Sequence, residues 1–132
     1  MDYLEKIEYW FDLAEEDLIT AEIVLIANRY LHFGFLCHLT IEKAIKAYHW
    51  FNIKSEPQYT HNLLTLSKNS NLNELLTESQ KKLIYNLMPL NIEARYPSNK
   101  KEISKTLTKE YCEKLFIETK EFILWMKILL KK

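Results

Sequence analysis

A chain of 132 residues is long enough for one domain with a substantial core and too short for two comfortable ones. A hydrophobic content of 48% excludes a disordered tract, and one Gly with three Pro leaves few sites for tight β-turns, which argues for helices. Eighteen Lys+Arg balance eighteen Asp+Glu, so no global field draws the chain to nucleic acid or an anionic membrane, and any such contact must be local.

The opening "MDYLEKIEYWFDLAEED" is acidic and amphipathic, without a basic start or an uninterrupted apolar run. No window reaches the roughly 18 apolar residues of a membrane span. The expectation is a cytoplasmic protein with no membrane association. Apolar or small residues at Tyr3, Ile7, Trp10, Ala14, Ala21 and Val24, with Leu4, Phe11, Leu18 and Leu25 beside them, predict a first helix over about residues 3–27. Asp17 falls on the face that this pattern buries. A carboxylate there calls for a cation or several donors, because an unpaired one would cost on the order of several kcal/mol.

After "NRYLH" a second helix is predicted over about residues 31–52, apolar around most of its circumference and therefore central in its bundle. Within it, "LCHLTIEKAIKAYHW" carries His38, Glu42, Lys46 and His49. At ~100° per residue, with His38 as zero, the other three fall at about 40°, 80° and 20°. They form one narrow polar stripe, which is either a solvent edge or a site.

Pro57 forbids helix continuation, and Thr60 stands as the N-cap of a short helix "HNLLTLSK". Thr77 and Gln80 have capping-box spacing ahead of Leu83, Ile84, Leu87 and Met88, and Pro89 kinks or ends that helix. "IEARYPSNKKEIS" reads as a loop, because Pro97 disfavours helix at Tyr96 and polar residues follow. A final helix over about residues 106–131 places Leu107, Tyr111, Leu115, Phe122, Met126 and Leu129 near one side. The pattern predicts an all-α protein: an antiparallel up-and-down bundle of about five helices, three long and two short, as a single domain over residues 1–132.

Cys37 and Cys112 sit inside helical patterns and read as two buried thiols. The sequence holds no G-x-S-x-G, Walker A, G-x-G-x-x-G or H-E-x-x-H motif, and one Gly cannot build a phosphate-cradling loop. His38 and Glu42 are i, i+4 neighbours, but two ligands without a cluster argue against a metal, and no cofactor is expected.

Asp17, Glu42, Lys46 and Arg95 are charged groups in or beside apolar surroundings on three segments, and such groups must pair. One reading is a polar network that fixes helix register, with Glu42 and Lys46 paired along their own helix. The other is a cleft in which Lys46 and Arg95 meet phosphates while the carboxylates orient the donors. His38 and His49 are each either a general base or a hydrogen-bonded helix residue. His61 reads as locally structural and His32 as exposed, while Tyr96 is placed either to stack on a base or to plug the bundle.

"AEEDLITAEIVL", "FGFLCHLTIEKAIKAYHW", "THNLLTL" and "EARYPS", in that order and with helical spacing between them, resemble the HEPN domain, the higher-eukaryote and prokaryote nucleotide-binding domain. The resemblance covers nearly the whole chain. It implies a compact helical bundle, a homodimer, and a minimal nucleotidyltransferase partner in a toxin–antitoxin-like pair. Many members are metal-independent ribonucleases that use an Arg followed, after four to six residues, by a His. Arg95 would fill the Arg role here, but those intervals lead to Lys100, Lys101 or Glu102. The sequence is closer to the branch with R-Y-P in this loop, for which nucleotide binding is the implied role.

By carry-over, Asp17, Glu42, Lys46 and Arg95 are the candidates for binding a nucleotide or RNA, with His38, Lys43 and Tyr96 behind them; no residue is assigned to catalysis. A divergent metal-independent endoribonuclease, pairing Arg95 with His38 or His49, and a purely structural partner-binding bundle are the alternatives.

Overall fold

The computed structural model describes residues 1–91 and 97–131, the first four of the second span by backbone alone. Six α-helices are found among them: α1 (Tyr3–Ile26), α2 (Tyr30–Asn52), α3 (Leu63–Asn69), α4 (Glu78–Leu87), α5 (Pro97–Thr106) and α6 (Lys109–Leu130). Short 3-10 turns cover Leu72–Glu74 and Met88–Leu90, and no strand occurs among the described residues.

The break between α1 and α2 is tighter than "NRYLH" suggests. Asn28 takes a left-handed conformation (φ 61°), Asn28 N–H donates to the Leu25 carbonyl and Arg29 N–H to the Val24 carbonyl. This Schellman arrangement satisfies the last carbonyls of α1 and turns the chain back within three residues, so α2 returns antiparallel along α1. The apolar stripe of α1 buries Phe11, Ala14 and Ala21 against it, whereas Tyr3 and Leu4, in the first turn, stay exposed.

α2 packs against each of the other five helices, as expected of a helix that is apolar on nearly every side. Phe33, Cys37, Ile41, Ala44 and Ile45 are fully enclosed, and Leu63, Leu66, Leu87, Leu115 and Met126 close the core from α3, α4 and α6. Both thiols are buried, and burial pushes Cys37 up to about 12. Gly34 marks the closest approach: a Cβ there would stand 3.2 Å from Leu90 Cδ1 and 3.3 Å from Leu107 Cδ1.

Two expectations are corrected. The N-cap of α3 is Asn62, whose Oδ1 accepts from Thr65 N–H, while Thr60 Oγ1 accepts from Asn62 N–H and shapes the approach. The stretch after Pro97 is not a loop but α5. Proline lacks an amide hydrogen that the first helical turn would leave unbonded anyway, so it starts a helix as readily as it ends one. The capping box at Thr77 and Gln80 forms as the spacing required, and α4 gives way to a 3-10 turn at Pro89. Among the described residues no helix is long and apolar enough to cross a membrane.

Gly34→Val is expected to lower stability by about 1–3 kcal/mol, because Leu90 and Leu107 must be displaced to admit the side chain. A denaturant midpoint unchanged from that of the parent chain would contradict the close packing of α2 at this point.

Candidate functional site

The stripe on α2 is not a solvent edge. His38, Glu42, Lys46 and His49 are all buried, with Glu42 only 2% exposed. A carboxylate so enclosed must be met by donors, and they come from three positions. Lys46 Nζ donates to Oε2 at 3.0 Å from one turn along α2. His61 Nδ1, on the segment leading into α3, lies 3.1 Å from Oε1 and 3.0 Å from Oε2. His38 Nε2 stands 3.4 Å from Oε1.

Burial alone would raise the Glu42 pKa. The hydrogen bonds from His38, His61 and Lys46, together with the Lys46 charge, outweigh it and hold the group at about 2. Glu42 is therefore ionised throughout the neutral range.

His38 ties the cluster to two further segments. Its Nδ1 donates to the Leu87 carbonyl at 3.0 Å, where α4 ends, and its Nε2 lies 3.1 Å from the His61 carbonyl. Each of its ring nitrogens thus faces a backbone carbonyl on a different segment. Lys46 has its own roof: Nζ lies 5.0 Å from the centroid of the Trp10 ring on α1, a cation–π contact in partly buried surroundings.

Asp17 is met by Lys43 Nζ at 2.6 Å, a half-buried ion pair that braces α1 against α2. Among the described residues no hydrogen bond joins this pair to the Glu42 group. Of the seven candidate residues, Glu42, Lys46 and His38 are thus brought together, Asp17 and Lys43 form a separate pair, and Arg95 and Tyr96 lie outside the described residues.

Trp10 and His61 were not among the candidates. Trp10 is indistinguishable in sequence from an ordinary core residue of the α1 stripe. The signal for His61 lay in the "THNLLTL" segment, but its partner is 19 positions away and only folding reveals it. His61 is half exposed, and the ring of Tyr59, itself 93% exposed, stands edge-on to it at 6.0 Å.

His49 is different again. It is buried with its Nδ1 unpartnered, and burial lowers its pKa, which favours the neutral ring. A surface cleft of about 1010 Å³ beside α1 and α6 contains none of the stripe residues. Its Lys54, Lys127 and Lys131 are matched by Glu8, Asp12 and Glu15, so it offers no net attraction for a phosphate.

The depressed pKa of Glu42 makes stability depend on pH. A folded value of about 2 lies below the ordinary 4.5, so the contribution is fully present above about pH 5 and is lost as pH falls towards 2. It amounts to something on the order of 3 kcal/mol. Urea unfolding measured at pH 7 and at pH 2.5 should show this acid loss in the parent chain and a flatter dependence in Glu42→Gln, whose stability at pH 7 is already lower. Equal pH dependence in the two proteins would contradict the assignment.

Comparison with known proteins adds one positive finding. The family model described as HEPN domain matches residues 7–129, a span that includes every described member of the Glu42 group. No curated protein and no solved structure gives a significant match. With a match over nearly its whole length, the chain belongs to the HEPN domain family, whose functions relate to nucleotides and RNA.

Proposed function

We propose that this chain is a nucleotide- or RNA-binding helical module that acts as a homodimer beside a minimal nucleotidyltransferase, in a toxin–antitoxin-like pair. Family membership supports the ligand class. The observation that carries the reading is the surface pair Tyr59 and His61. One is an open aromatic ring and the other an imidazole clamped from below by buried Glu42. An exposed ring accepts a nucleobase by stacking, and a fixed imidazole supplies a hydrogen bond to ribose or phosphate.

Glu42, Lys46 and His38 act in this reading as the support of the binding surface, and Asp17 with Lys43 as its brace. Arg95 and Tyr96 contribute a phosphate contact and a second stacking ring. The homodimer is supported by the exposed aliphatic stripe Ile19, Ile23 and Ile26 on α1, which recurs at helical spacing.

A second reading has its own observation. Both Glu42 oxygens already have protein donors, so the charged group also serves as a register lock with no ligand.

Fluorescence polarisation with a labelled single-stranded RNA, and thermal shift with nucleoside triphosphates, separate the two readings. Binding is expected, and Tyr59→Ala is expected to weaken it about 5- to 100-fold, the loss of one stacked base. Arg95→Ala should weaken it further and reduce the salt dependence. No binding and no thermal shift at millimolar nucleotide would leave the register lock as the function of the cluster.

A further inference from the structure

The surface cleft of about 1010 Å³ lies where the start of α1 meets the ends of α2 and α6. Its apolar lining comes from all three helices. Ile7 and Phe11 belong to α1, Phe51 to α2 and Leu130 to α6, and Leu4, from the same α1 stripe, is left 60% exposed there.

The charges along the cleft balance in number but not in pairing. Lys127 Nζ meets Glu15 Oε2 at 3.6 Å. Lys54 Nζ lies 5.3 Å from the centroid of the Tyr3 ring and donates to the Phe51 carbonyl. Glu8, Asp12 and Lys131 have no ion-pair partner among the described residues, which leaves two carboxylates against one ammonium.

Those two carboxylates are part of a longer row. Glu5 and Glu16, both exposed and both without an ion pair among the described residues, continue it in steps of three and four along α1. Such steps put all four side chains on one helix face over about 16 Å. Like charges at these spacings oppose helix formation, and only Glu5, in the first turn, gains from the helix dipole.

We infer that the cleft is a docking groove for an amphipathic helix of a partner protein, which buries aliphatic side chains against Leu4, Phe51 and Leu130 and aligns Lys or Arg with the carboxylate row of α1. This reading is independent of nucleotide binding, and it concerns the opposite end of α1 from Ile19, Ile23 and Ile26.

The chemistry of the groove selects this occupant. A small apolar molecule would fill the lining and leave the carboxylates uncompensated. An extended peptide binds by adding to a sheet edge, and no strand occurs among the described residues. A helix lying along α1 repeats at about 5.4 Å per turn, the same interval as the row, so its cations meet the carboxylates while its apolar stripe meets the lining. The unpaired negative charge also steers a basic partner towards this face.

The test uses the full chain and a labelled helical peptide of about 15 residues, with Leu at three-and-four spacing and Lys on the flanks. The control peptide carries Glu in place of every Lys. Fluorescence polarisation is expected to show binding of the Lys peptide, weakening as salt is raised, and none of the Glu peptide. Glu8→Lys with Asp12→Lys should weaken binding about 10-fold, whereas Glu22→Lys with Glu113→Lys, exposed acids elsewhere, should leave it unchanged. Leu4→Asp tests the apolar half separately and should abolish binding, in a first turn where a carboxylate is favoured and the helix is retained. Equal binding of the two peptides, equal effects of the two double variants, or parental affinity in Leu4→Asp overturns the inference. So does sedimentation in which Leu4→Asp converts a dimer to a monomer, which assigns the groove to a second copy of the chain.

Discussion

Burying a carboxylate without partners costs more than most single contacts return, and Glu42 is placed at the centre of the bundle on its most enclosed helix. The fold is obliged to bring donors to it. One comes from α2 itself, one from the segment before α3, and one is an imidazole whose remaining bond reaches the end of α4. Apolar packing alone is tolerant of small slides between helices. A carboxylate with hydrogen bonds near 3.0 Å is less so, because a slide of α2 against the segment before α3 lengthens the bonds to His61.

Much of this was legible in the chain. Helical periodicity located both long N-terminal helices to within a residue or so, because an apolar stripe and its caps are local properties. The same reasoning required a cation for Asp17, and Lys43 supplies it. The errors have local causes too. Thr60 and Asn62 are both competent caps two residues apart, and Asn62 Oδ1 is the one that meets the Thr65 N–H. Pro97 carries one physical property, a missing amide hydrogen, that serves either end of a helix equally.

The site was less legible than the fold. The stripe His38, Glu42, Lys46 and His49 was visible as geometry, yet its exposure was not, since a helix packed on every side and one with a wet edge share the same wheel. His61 could be valued only once folding set it against Glu42 across 19 residues of sequence. Function in this family concerns nucleotides and RNA, and the buried groups now divide from those a ligand can reach. The former hold shape, and the latter, Tyr59 and His61, face outward from it.

The shared carboxylate also constrains how this sequence can drift. His38, Lys46 and His61 each lose their neighbour if Glu42 changes, and Glu42 is left under-satisfied if any one of them does. Removing the charge or the donor at one of the four positions leaves the others incompletely paired. An uncharged replacement core would need Glu42, Lys46 and His38 altered together, with His61 then released from the bundle. Positions 38, 42, 46 and 61 are therefore coupled through one carboxylate although they lie on two segments.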